Sequence, residues 1–293
     1  MNLYQLARTM DCEFEEKEFE QPLNAELSCK GRIFPPGQVL EGKIGIDAAV
    51  FSVNKNLWLL WNKNGPFSDK KGVHLNSKLW DFVAQRIDDS RFPKFKCNVF
   101  LQHKCPTFIK KKWGGQYPYW NQPYYRYALK GNQQDTLFRL EQKISSHAIV
   151  AYSCPSFWES EELWKHTAEF DLVENTNFAR PSEMSGHVIY TFVKCGAFGK
   201  AFSEKPKAVK CADILREIGD LKQKEPPFAR NTSFISSLSK DIQEVVEKSS
   251  EIFKGSYFRI LESLVIPEHE LVRNMTKISI FTYMADISWG ISY

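Results

Sequence analysis

Apolar residues recur at helical spacing over 14–30, where Phe14, Phe19, Leu23 and Leu27 share one side and Gly31 stops the run. Pro22 is tolerated best near such a helix's start. Pro35-Pro36-Gly37 then marks a turn or extended segment. Ile44–Val53 reads as a strand interrupted by Asp47, and Leu57–Trp61 reads as its paired neighbour. A helix is predicted over Leu75–Ile87, and Cys97–Gln102 forms a buried strand closed by Cys105-Pro106. No period fits Trp113–Tyr127, which predicts a long aromatic loop. Further on, helices are predicted over Asp135–Ser145, Phe157–Phe170 and Ala208–Lys222, and strands over His147–Tyr152 and His187–Val193. Ser239–Leu264 carries the longest helical pattern, with Ile242, Val245, Val246, Ile252, Phe253, Ile260, Leu261 and Leu264 on one face. The apolar tail 277–293 is expected to pack back on the body.

Strands and helices thus alternate to about residue 200, and a mostly helical part follows. The predicted fold is α/β (α+β), a central mixed sheet flanked by helices. The expected organisation is a core over 1–200, with an insertion around 57–92, and a helical region over 201–293.

Composition narrows the class. The 293 residues are 43% hydrophobic and 25% charged, a globular balance. The seven cysteines are odd in number and irregularly spaced, with no C-x-x-C, which reads as free thiols in a reducing compartment. The N-terminal stretch lacks the apolar run of a signal peptide, and no window approaches the roughly 20 apolar residues of a membrane span. A cytoplasmic protein without a membrane partner is expected.

The net charge of +4 decides little, but its distribution is uneven. Residues 11–20 are acidic, whereas 102–130 contain six Lys or Arg and no Asp or Glu. Two polar intrusions into buried strands stand out. Asp47 breaks one strand; Gln102 and Lys104 end another and share a face, because strand side chains alternate. A charge in such a place is costly unless it is paired or bound to metal. The carboxylate and neighbouring oxygens can hold Mg²⁺ (or Mn²⁺), and Lys104 can orient an attacking water or neutralise charge on a phosphate. Taken singly, each residue also has a bland reading: Asp47 as a hydrogen-bonding group and Lys104 as a strand-end residue reaching solvent. Gly196-Ala-Phe-Gly-Lys200 lacks full phosphate-loop spacing and reads as a turn. His103 and Cys105 lack a second pair with zinc spacing.

An acidic helix, then Gly45-Ile-Asp47-Ala-Ala, then Phe100-Leu-Gln102-His-Lys104 resembles the PD-(D/E)XK nuclease superfamily in its Q-x-K form. The likeness extends through residues 120–127 and 148–158 to bacterial proteins with this core, and covers about 20–195. It implies a restriction-endonuclease-like core and a metal-dependent endonuclease hydrolysing phosphodiester bonds, with DNA as substrate, in the setting of bacterial defence against foreign DNA. On that resemblance Asp47, Gln102 and a carboxylate of the first helix hold metal, and Lys104 acts on the water or the developing charge. Glu20 is the expected helix carboxylate, with Glu26 in reserve. Ile46 stands where the family has Pro, and Gln102 where most members have an acid. The alternative is a catalytically silent module that binds nucleic acid or a partner protein, with 201–293 as the surface for a partner or for self-association.

After Lys104 come Lys110, Lys111 and Lys112, then Arg126 and Lys130, interleaved with eight aromatics. Cations attract phosphates and aromatic faces stack on unpaired bases, so Lys110, Lys111, Lys112, Trp113, Tyr124 and Arg126 are expected to touch nucleic acid. The competing reading is aromatics packed over the sheet with the lysines as a solvated face.

Overall fold

A computed structural model describes residues 10–34, 93–110, 112, 114–203, 205–224, 228–263 and 270–293. The elements expected at 44–53, 57–61 and 75–87, and the insertion at 57–92, lie outside the described residues. The described chain is a mixed α/β structure of two five-stranded sheets and seven α-helices.

The chain enters through helix α1 (Glu16–Lys30), whose start is fixed by the Glu18 carboxylate accepting the Glu15 N–H at 2.8 Å. Pro22 sits inside α1 rather than at its start. Strand β1 (Ile33–Phe34) follows, and then β2 (Cys97–His103), buried at every position. A first parallel neighbour, β5 (Ala148–Pro155), is reached through β3 (Thr107–Ile109), β4 (Tyr124–Ala128) and helix α2 (Gly131–Ile144). Helix α3 (Ser160–Glu169), β6 (Thr176–Ala179), β7 (Ile189–Phe192), β8 (Gly199–Phe202), β9 (Lys207–Val209) and helices α4 (Ile214–Gln223), α5 (Asn231–Glu247), α6 (Glu251–Ser263) and α7 (Glu270–Ala285) come next. Strand β10 (Ser288–Ser292) ends the chain.

The central sheet runs β1-β10-β2-β5-β6, with only β2 and β5 parallel. The second, antiparallel sheet runs β3-β4-β7-β8-β9. Alternation along β2 sorts its side chains into two cores. Cys97, Val99 and Leu101 join Phe19, Leu23, Leu27, Leu163 and Ile218 under α1, α3 and α4. Phe100 joins the larger core, which the second sheet shares with α2, α5 and α7 through Tyr127, Tyr190, Leu140, Leu238 and Phe281.

Three expectations change. The aromatic stretch 113–127 is not one long loop: a 3-10 turn forms at Tyr117–Tyr119, and β4 starts at Tyr124. The helix expected over 239–264 is two. Helix α5 begins earlier, at Asn231, whose amide accepts the Phe95 N–H at 3.0 Å and donates to the Pro93 carbonyl at 3.0 Å. It stops at Lys248-Ser249-Ser250, where the Ser250 hydroxyl accepts the Phe253 N–H and starts α6. The tail 277–293 does more than pack on the body, since β10 fills the slot between β1 and β2. Asp286, in the left-handed region at φ 55, turns the chain from α7 into that strand. Region 201–293 is mostly helical, as expected, yet it also completes the central sheet.

Ile291 is fully buried between β1 and β2, so Ile291→Ala should cost about 2–5 kcal/mol of unfolding free energy by urea denaturation. Tyr283→Ala, on the exposed side of α7, should cost less than about 0.5 kcal/mol. Equal losses would mean that β10 is not part of the cooperative core.

Candidate functional site

The carboxyl end of β2 gathers the polar residues. Gln102 is buried and, by strand alternation, faces α2. Its Oε1 accepts from Gln133 Nε2 at 2.5 Å, and its own Nε2 donates to the His103 carbonyl at 3.2 Å. Gln133 also donates to the Ala285 carbonyl at 2.9 Å, which ties α2 to the end of α7. The Lys104 main chain is fixed by its N–H donating to the Ser153 carbonyl on β5. The Lys104 amine donates to Gln133 Oε1 at 3.4 Å and stands 3.7 Å from Glu16 Oε1. The Lys104 side chain is 6% exposed and that of Glu16 is 39% exposed. A chain of contacts therefore runs Glu16–Lys104–Gln133–Gln102 from the first turn of α1 to the first turns of α2. Among the described residues two long contacts reach the Lys104 amine, whose side chain is nearly buried.

His103 points to the opposite face. Its ring nitrogens meet Ser153 Oγ at 2.8 Å and Ser288 Oγ at 2.9 Å, and its ring lies edge-on to Phe19. Burial, assisted by the charges of Lys17 and Lys104, pushes its pKa down to about 3. It is a neutral spacer joining β10, β2 and β5.

The expected site residues fare differently. Gln102 and Lys104 come together through Gln133. Asp47 lies outside the described residues. Both edges of β2 are taken, one by β10 and the other by β5. Glu20 does not meet Lys104: it pairs with Lys17 at 2.6 Å. The helix carboxylate that does approach is Glu16, one helical turn earlier. Glu26 is a structural clip, buried, accepting the N–H groups of Leu172 and Val173 and pairing with Lys30 at 2.7 Å. Gln133 and Glu16 were not singled out in the sequence. Glu16 could have been, because it lies three residues before Phe19 in the acidic first turn; nothing in the chain order marks Gln133.

The basic aromatic segment divides too. Lys110 and Lys112 are exposed and Arg126 is half-buried, while Lys111 and Trp113 lie outside the described residues. Tyr124 is completely buried, its ring against Gly114, and cannot stack on a base. The exposed ring of this region is Tyr119, and the neighbouring Trp120 carries Lys200 4.3 Å above its face. The Gly196 turn, at φ 68, joins β7 to β8 as expected and makes no phosphate loop.

The donors around Lys104 are all oxygen, which suits a hard divalent cation in kind. Among the described residues they include one carboxylate, Glu16, together with the amide oxygens of Gln102 and Gln133. The one described cluster of three residues with metal-ligating groups is elsewhere, His166, Glu169 and Asp171 on and just after α3, and His166 is bound to Asp171 at 2.8 Å. No helix among the described residues is long and apolar enough to cross a membrane. No family model matches the chain, nor does any curated protein or solved structure.

The unfolded chain protonates His103 near pH 6.5, whereas the folded chain keeps it neutral down to about pH 3. Between those values the unfolded state binds more protons, so stability is full above about 6.5 and falls as the pH drops through the window. In urea denaturation at a series of pH values, His103→Gln should flatten that slope; an unchanged slope would place the titrating group elsewhere.

Proposed function

We propose that the protein is a metal-dependent nuclease hydrolysing phosphodiester bonds, with its reacting centre at the carboxyl end of β2. One observation carries the reading: the Lys104 side chain is nearly buried beside a half-exposed carboxylate, at the end of a parallel strand pair, and its contacts among the described residues are long. A buried charge in weak contact costs free energy that the core could have avoided with an apolar residue. In open α/β sheets the carboxyl ends of parallel strands are where ligands bind.

In this reading Glu16 and the Gln102 amide oxygen hold the cation, Mg²⁺ or Mn²⁺, with Asp47 as the further carboxylate. Gln102 Oε1 keeps a second lone pair beside its bond from Gln133. A bound cation lowers the pKa of a water and polarises a phosphoryl oxygen. Lys104 neutralises the charge that develops on the phosphate, and its low exposure strengthens that attraction. Gln133 holds Gln102 and Lys104 in register through one amide. Lys110 and Lys112 supply phosphate contacts. Six residues separate Lys110 from Lys104, so the two α-carbons are no more than about 22 Å apart, a span of a few nucleotides. DNA as the substrate, a cytoplasmic location and a role in defence against foreign DNA follow the likeness to Q-x-K nucleases and belong to the same proposal.

A second reading rests on the engagement of Gln102 at both ends of its side chain and on there being, among the described residues, a single carboxylate near Lys104. It makes the chain a silent nuclease-like module that binds nucleic acid or a protein partner, with exposed Ile252 and Tyr283 in 201–293 as contact points.

Incubation with Mg²⁺ or Mn²⁺ and either plasmid or single-stranded DNA separates the readings. Cleavage should fall about 100-fold or more in Lys104→Ala, and strongly in Glu16→Gln and Asp47→Ala, with Glu20→Gln close to the parent. Cleavage that survives both Lys104→Ala and Glu16→Gln would reject the site. Salt-dependent binding without cleavage would select the second reading.

A further inference from the structure

Two cysteines meet beside this site although 93 positions separate them in sequence. Met10 and Phe108 form an antiparallel bridge, with N–H···O bonds of 2.9 and 2.8 Å in the two directions. The bridge lays the segment that leads into α1 beside the chain just beyond β2. The Cys105 thiol donates to the Phe14 carbonyl at 3.3 Å and is in hydrogen-bonding contact with the Cys12 sulfur. Both residues are partly exposed and both pack on the core under α1. The contact from Cys105 holds the Cys12 thiol below its ordinary pKa, while Cys105 itself is pushed up. The pair therefore has one sulfur disposed to ionise and one that keeps its proton.

We propose that Cys12 and Cys105 are a reversible disulfide-forming pair, oxidised by a hydroperoxide, that clamps the segment leading into α1 onto the end of β2. Two thiols already in contact need only close from hydrogen-bonding distance to an S–S bond of about 2.05 Å. The Cys12 thiolate attacks one peroxide oxygen, the O–O bond breaks, hydroxide leaves, and Cys12 becomes a sulfenic acid. The Cys105 sulfur then attacks the Cys12 sulfur, and its proton departs with the displaced hydroxide as water. The peroxide gains the two electrons that the two thiols lose. The bond fixes residue 12, four positions before Glu16, to residue 105, next to Lys104. It holds the start of α1 against the buried amine whether or not that amine serves catalysis.

The test uses the full chain, treated with hydrogen peroxide, quenched with N-ethylmaleimide, and digested without reductant for mass spectrometry. A Cys12–Cys105 linked peptide should form, persist in Cys29→Ser, vanish on dithiothreitol treatment, and be missing from Cys12→Ser. In Cys105→Ser, dimedone should trap the Cys12 sulfenic acid. The decisive measurement is on the parent chain, so a variant that folds poorly does not spoil it. Full alkylation of both cysteines after peroxide, or a bond from Cys12 to another cysteine, would overturn the proposal.

Discussion

Strand β2 is hydrogen-bonded along both edges, to β10 on one side and β5 on the other, and the rest of the molecule is arranged around that fact. A buried strand has to satisfy every N–H and C=O, and here one set of partners comes from the last residues of the chain. Closing the sheet therefore requires the C-terminal helices to deliver β10 across nearly the whole sequence. They do so by packing α7 against α5 and α5 against α2, with Leu238, Ile242, Phe281 and Leu140 in the larger core. The helical C-terminal region and the sheet thereby share one core.

That arrangement sets the chemistry available at the end of β2. Gln102 is anchored from α2 through Gln133, and Gln133 is itself anchored to the last turn of α7 through the Ala285 carbonyl. His103 is locked on the other face between hydroxyls of β5 and β10. Lys104 is the first residue beyond this scaffold, and its amine extends to where α1 presents Glu16. Among the described residues that amine is met by long contacts, unlike an ion pair evolved for stability, whose contacts would be short and bidentate or networked. The same corner holds Cys12 and Cys105, so the segment that leads into Glu16 also carries the thiol that the contact from Cys105 holds below its ordinary pKa.

The sequence was most legible where its pattern was long and local. Helix α1, the all-buried β2 and β5, and helices α2 and α3 follow from periodic apolar spacing, with ends displaced by a few residues. The break at Lys248-Ser249-Ser250 was hidden because the apolar face continues across it, and only the Ser250 cap separates the two helices. Strand β4 was hidden because aromatics at nearly every position obscure its alternation, although Tyr124 and Tyr127 are buried and Ala128 is exposed. Within the site, Gln102 and Lys104 stood out as polar groups on a buried strand. Helical membership alone points to Glu20, with Glu26 in reserve, but the Glu20 side chain turns to Lys17.

By itself, then, the sequence determined the mixed helix–sheet class, the buried strand that ends in Gln102-His103-Lys104, and the acidic helix that precedes it. These are written in local periodicity and in the cost of placing polar groups among apolar ones. Tertiary structure alone decided that β10 would sit beside β2, that Gln133 would bridge Gln102 and Lys104, that Glu16 would be the acid that arrives, and that Tyr124 would be sealed in the core. Those outcomes depend on which distant surfaces meet, and a short strand or a single amide carries no local signal of its partner.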